Sequence, residues 1–254
     1  MDVDALYSPL MLDKGVPSIK ATWVEQFVRS PISFWCDVHA PEELKDPVDP
    51  FVQRLFEVGQ EHQSNVTAAS YPGAVQEIFF TEEDGFRRTL ELMATGEKFV
   101  KNMPLLRRPI GLEGRPDVLV RVDDIQSDLG RFSYAVVEIK SARHITNAHI
   151  LQGAVYNRLL GIVQGCEPDE FYIVNRDSDV RTIQMAGVAT KLDDVLDDMR
   201  KIINGAQIEP CYGAGVWPWE AYVDRRAIER NDVSLIPDVG PAKRSNLTAV
   251  GLRT

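Results

Sequence analysis

Gly114-Arg115-Pro116-Asp117 runs into the apolar stretch Val118-Leu119-Val120. After a polar segment ending at Gly130 comes a second one, Tyr134-Ala135-Val136-Val137-Glu138-Ile139-Lys140. Both runs are short, rich in β-branched residues and bounded by turn formers, so they predict neighbouring buried strands. Side chains alternate along a strand, which sends Glu138 and Lys140 out on the same face. An acid and a base at the end of an apolar strand are costly to bury without a partner or a metal. Asp117, at the mouth of the preceding strand, supplies a second carboxylate. Two carboxylates suit a hard divalent cation, and an ammonium beside them can steer an attacking water.

Working outward, Asn147 to Gly161 is an apolar-periodic helix carrying Gln152 and Tyr156, four apart and so on one face. Upstream lies Gly59-Gln60-Glu61-His62. Pro116-Asp117 with Glu138-Ile139-Lys140 resembles the PD-(D/E)xK phosphodiesterase signature. Gln152 and Tyr156 resemble the QxxxY motif of its RecB-like branch, and Gly59 to His62 the GxxH element, whose histidine is a metal ligand. The chain is similar in this to the CRISPR adaptation exonucleases and to RecB-like nucleases fused to a helix-hairpin-helix. The nuclease resemblance covers roughly residues 22–204.

The resemblance implies a restriction-endonuclease-like α/β fold, a mixed sheet of four or five strands flanked by helices, with a small helical C-terminal appendage. It implies one or two Mg2+ or Mn2+ ions held by His62, Asp117, Glu138 and the main-chain carbonyl of Ile139. Asp117, Glu138, Lys140 and Gln152 form the expected catalytic set, in which Lys140 orients or helps deprotonate the attacking water. Gln152 orients the lysine or the phosphate, and Tyr156 packs nearby. Arg115, Gln152, Tyr156, Arg143, Gly240 and Lys243 are the expected substrate contacts. The expected activity is metal-dependent hydrolysis of phosphodiester bonds in DNA, of exonuclease type. The alternatives are a catalytically inactive nucleic-acid-binding or assembly module on the same fold, and a hydrolase of small phosphodiesters. His39, His144 and His149 read as ordinary structural histidines, although His144 is near enough to Lys140 in sequence to touch a phosphate.

Composition bounds this reading. The 254 residues are 44% hydrophobic and 26% charged, ordinary for a globular chain. No apolar run approaches a membrane span and the start does not resemble a signal peptide, so a cytoplasmic protein without a membrane partner is expected. The net charge of −10 argues against tight, nonspecific binding of nucleic acid, since phosphate contacts supply most of that affinity. A local basic groove is the way around it: Arg107, Arg108, Arg115, Arg121, Lys140 and Arg143 cluster around the motif in sequence.

Cys36, Cys166 and Cys211 are odd in number and widely spaced, which argues against a disulfide framework. Many RecB-like nucleases carry an iron–sulfur cluster on four thiolates. Here Ser30 stands at the early cysteine position, and only Cys211 remains late, with Ala214 where a second would fit. No iron–sulfur cluster is expected, and apolar packing of the segment around Trp217 and Trp219 is expected in its place.

Along the rest of the chain, residues 1–21 read as a loop segment. Helical spacing runs from Thr22 to His39, broken near Pro31, and from Phe51 to Ala69, where Phe51, Leu55, Phe56 and Val58 share one side. Val75 to Phe80 predicts a strand and Phe86 to Thr95 a helix. Residues 98–112 supply one or two strands, Phe171–Asn175 and Val180–Met185 two more, and Leu192 to Ile203 a helix. Residues 205–230 form a linker and a helix. The last segment, 231–254, resembles a helix-hairpin-helix in which Gly240, Lys243 and Arg244 face a phosphate, with Asp238 where glycine is usual. The chain stops where a longer relative would continue, which predicts that it is part of a longer protein.

Overall fold

The computed structural model describes residues 2–253. It is a mixed α/β protein with two mixed sheets flanked by helices. Its elements fall into two compact units, residues 1–25 with 54–194 and residues 26–53 with 195–254.

The first unit begins with α1 (Val3–Met11), a helix where the sequence reading has a loop. Asp2 caps it, its carboxylate accepting from the amides of Asp4 and Ala5. A three-stranded sheet follows, β1 (Ile19–Lys20), β4 (Leu112–Gly114) and β3 (Leu105–Arg107) in that spatial order. The main sheet has the order β2 (Phe99–Lys101), β5 (Val118–Ser127), β6 (Gly130–Ile139), β7 (Glu170–Val174), β8 (Val180–Gln184). Only the β6–β7 pair is parallel. A parallel pair needs a crossover, and α6 (Asn147–Gln164) provides it. Thr146 and His149 form a capping box at its start, and Gly165 at φ 68° ends it. α6 is buried almost all round, as expected of a core helix. Its buried Gln164 accepts from the Tyr134 amide at 2.8 Å and donates to the Tyr134 carbonyl at 3.1 Å, satisfying a stretch of β6 backbone.

α5 (Glu82–Thr95) flanks this sheet, with Thr81 as its N-cap. The expected strand from Val75 to Phe80 does not form. Val75 makes one bridge to Val100, and the following residues join no ladder. Alternating character gives a strand only where a neighbour offers amides and carbonyls, and β2 is three residues long.

The dividing line between the units passes through α2 (Ala21–Arg29), α4 (Pro50–Ser70) and α7 (Ala189–Ile203). Residues 26–53 thus group with the C-terminal segment, a different partition from a domain spanning 22–204. On α4, Phe51, Leu55, Phe56 and Val58 are exposed.

The second unit holds α3 (Pro31–His39) and α8 (Glu220–Glu229) around Ile32, Cys36, Trp219, Tyr222 and Val223, while α9 (Pro241–Ala249) lies against the turn Val233–Leu235. Ser30 caps α3 and donates to the Ala214 carbonyl at 2.6 Å, while Ser33 Oγ accepts from the Val216 amide at 2.9 Å. The two positions read as vacated cysteine sites therefore meet. A hydroxyl hydrogen bond joins them, in addition to the apolar packing expected there.

Candidate functional site

Register builds the site. Val118 pairs with Val137 in the antiparallel β5–β6 ladder, so one step further Asp117 comes opposite Glu138. The Ile139 amide donates to Asp117 Oδ2 at 2.6 Å. The job visible for Ile139 is thus its N–H, clamping the first carboxylate to the strand that carries the second. Glu138 is 3% exposed, and its Oε2 is buried with no hydrogen-bond partner. Burial, followed by the charge of Glu138, raises the affinity of Asp117 for its proton, against the Ile139 amide and Lys140. Burial raises that of Glu138 too, with Lys140 opposing.

Lys140 is the compensating cation. Its Nζ lies 3.2 Å from Glu138 Oε1 and 3.2 Å from Glu25 Oε2, and it donates to Gln152 Oε1. Burial works against its charge, but Glu138, Glu25 and Asp117 outweigh burial and push the lysine up to about 12. It is an ammonium at neutral pH, suited to orient and neutralise rather than to take a proton. Gln152 Nε2 donates in turn to Tyr156 Oη at 3.1 Å, so the four-residue spacing on α6 delivers one hydrogen-bonded line, Lys140–Gln152–Tyr156. Tyr156 is held by shape as well. A Cβ on Gly114 would lie 2.5 Å from its ring, so only glycine allows β4 to approach this closely.

His62 lies on α4, and its Nε2 is buried without a hydrogen-bond partner. One turn earlier the backbone of Gly59 comes against Ser141, the residue after Lys140: a Cβ there would be 3.8 Å from Ser141 Oγ. The GxxH face of α4 thus runs past the end of β6. Among the described residues no three His, Cys, Asp or Glu side chains stand grouped as a ready metal cage.

Three participants escaped sequence reading. Gln63, next to His62, donates to Asp117 Oδ1 at 2.6 Å and to Asn102 Oδ1 at 2.9 Å. Glu25, from α2, shares Lys140 and lies 3.8 Å from His149 Nε2. None sits at a motif spacing. The one available signal is Gln63 following the GxxH histidine.

The expected substrate contacts are otherwise engaged. Arg115 is held by Glu82 and lies 4.9 Å over the Phe79 ring, and Arg143 pairs with Asp177 at 3.0 Å. Arg107 donates to the Pro9 carbonyl, Arg108 pairs with Glu83 and Glu113, and Arg121 with Asp123. Clustering in sequence therefore does not leave these arginines free: a carboxylate from another element or from the same strand, or a carbonyl, meets each of them. Gly240 and Lys243 belong to the second unit. Gly240 is the N-cap of α9 and Lys243 is exposed. Arg244 is committed to buried Asp232, both of whose oxygens it reaches within 3.0 Å, which removes it from the phosphate role. Asp238 sits at φ 66°, so the turn keeps a glycine-like backbone without glycine.

No helix among the described residues is long and apolar enough to cross a membrane. No protein-family model matches this chain, and no curated protein matches it.

Proposed function

We propose that the chain is a metal-dependent phosphodiesterase with a restriction-endonuclease-like fold, acting on nucleic acid, with DNA as the expected polymer. One observation carries the reading: a half-buried carboxylate, Asp117, set opposite the buried carboxylate of Glu138, whose Oε2 is unsatisfied, beside a lysine hydrogen-bonded to Gln152. Such a cluster destabilises a fold, and strongly perturbed acids in concert point to chemistry rather than packing. The donors fit Mg2+ or Mn2+. Asp117 and Glu138 offer hard oxygens, and Glu138 Oε2 and His62 Nε2 are buried atoms in want of a partner.

Asp117 and Glu138 would hold the ion, with His62 as the further ligand that the motif resemblance implies, and the ion would lower the pKa of a bound water and offset charge on a phosphate. Lys140, fixed between Glu138, Glu25 and Gln152, presents its ammonium to the developing negative charge. Gln152 keeps that ammonium from collapsing fully onto the carboxylates. Tyr156 and Gly114 hold Gln152 in its rotamer.

The second reading, an inactive nucleic-acid-binding or assembly module, draws on the −10 charge and on the pairing of Arg115 and Arg143. An end-labelled DNA digest with Mg2+ or Mn2+, beside Asp117→Ala, tests the two. Cleavage by the parent and none by the variant is the expected result. Calorimetric titration of Mn2+ that detects no site dependent on Asp117 would reject catalysis.

A further inference from the structure

Exposure alternates along residues 76–80. Phe79 turns inward against α5, where a Cβ on Gly85 would lie 2.7 Å from its ring, and the Arg115 guanidinium covers it. While Phe79 is pinned, its neighbours Ile78 and Phe80 face outward. They are 84% and 93% exposed, the highest values among the large hydrophobic residues described. Leaving each in water forgoes about 1.5–3 kcal/mol of burial.

This segment, with Glu77 and Glu82, walls an open groove of about 690 Å³ that Lys101 and Arg115 also line; Glu77 is paired with Arg88 and Glu82 with Arg115, which leaves Lys101 as the unpaired charge. Through Ala74, Gln76 and Lys101 it adjoins a hollow of about 410 Å³ lined by Gln63 and Asn102. Gln63 is the residue bonded to Asp117. Lys101 pairs in register with Val118, one residue from that carboxylate, yet has no ion pair among the described residues. A half-buried unpaired ammonium and an outward aromatic thus share one groove, which adjoins the hollow lined by Asp117's partner Gln63.

We propose that this groove holds a single-stranded stretch of nucleic acid, with unpaired bases stacked on Phe80 beside Ile78 and a backbone phosphate at Lys101. The inference rests on the phosphodiesterase reading. An acidic chain whose arginines are mostly paired cannot draw its affinity from phosphate contacts alone. Stacking on an aromatic face supplies affinity without net charge, and only bases freed from a duplex expose their faces to it.

The test is fluorescence anisotropy of the metal-free protein with a short oligo-dT, the same oligomer carrying abasic sites, and a blunt duplex. Phe80→Ser should weaken oligo-dT binding about 5- to 100-fold and leave the abasic strand unchanged. Lys101→Gln should weaken both strands alike and lower the salt slope by about one, with Lys101→Arg restoring them. In Mn2+ assays both losses should appear in KM rather than kcat. A parent that neither binds nor cleaves any nucleic acid overturns the phosphodiesterase reading and this one with it. A parent that cleaves, but whose Phe80→Ser variant binds oligo-dT as before, overturns this inference alone, and is the outcome if the edge takes a peptide strand. Duplex binding as tight as single-strand binding also overturns it.

Discussion

The peptide N–H of Ile139 donates to Asp117 Oδ2 at 2.6 Å, so the strand that presents Glu138 also fixes the opposing carboxylate. Asp117 cannot turn away without giving up that bond. Its repulsion with Glu138, beyond what Lys140 offsets, is left to a proton or a bound cation to relieve.

Asp117→Asn should therefore stabilise the metal-free protein. In the folded chain both carboxyls keep their protons to higher pH than in the unfolded chain, where they titrate near 4. Between those values the folded state binds more protons, so stability falls as pH rises through the window. We predict that this slope flattens in Asp117→Asn and that its Tm at neutral pH rises by about 2–4 °C for each kcal/mol relieved. Adding Mn2+ should reverse the order, raising the parent's Tm and leaving the variant's unchanged. Thermal melts at several pH values, with and without Mn2+, check both.

Lys140→Ala should abolish cleavage and, beyond that, weaken the fold. Lys140 is the cation facing buried Glu138, and removing it strands that acid at a cost of about 3–5 kcal/mol. The cost should shrink as pH falls and Glu138 takes up a proton. Urea unfolding at neutral and at mildly acidic pH measures this, and an equal loss at both would exclude the carboxylates as its cause.

Gln152→Leu keeps the volume but removes both bonds of the Lys140–Gln152–Tyr156 line. We predict a stability loss of about 1–3 kcal/mol from the unpaired Tyr156 hydroxyl. A fall in kcat larger than any change in KM should accompany it, because the lysine loses its aim. A KM effect alone would assign Gln152 to substrate binding instead.

Gly114→Ala places a methyl 2.5 Å from the Tyr156 ring and 2.9 Å from the Ala21 methyl. Overpacking of this kind costs about 1–3 kcal/mol. The same line should be disturbed from its far end, lowering kcat. Tyr156→Ala in the Gly114→Ala background should recover part of the stability, and denaturant midpoints for the four proteins measure the coupling.

Ser30→Ala should destabilise the second unit by about 1–2 kcal/mol, since it deletes the α3 cap and strands the Ala214 carbonyl. Limited proteolysis should then cut near Ala214 sooner than in the parent.

The strands around Asp117 and Glu138 were legible because alternation and turn formers are local signals, and so was the placement of Gln152 and Tyr156 on one helix face; the hydrogen bond between them came only with the structure. Glu25 and Gln63 were not legible, because each reaches the site from an element distant in sequence and neither sits at a spacing that marks it. The arginines misled for the same reason. Arg115, Arg121 and Arg143 crowd the motif in sequence, yet the chain folds acids from elsewhere, or from just along the strand, onto each of them. At Val75–Phe80 the pattern was right and the pairing absent, because a ladder needs a partner edge that no single segment can announce.

The sequence by itself determined which residue types stand at the ends of two apolar strands and which helix positions share a face, since both follow from the fixed periods of backbone geometry. Tertiary structure alone decided which charges neutralise one another, which buried atoms go without a partner, and which aromatic stays in water. Those outcomes depend on through-space distance and on exclusion of solvent, and neither exists until remote segments pack.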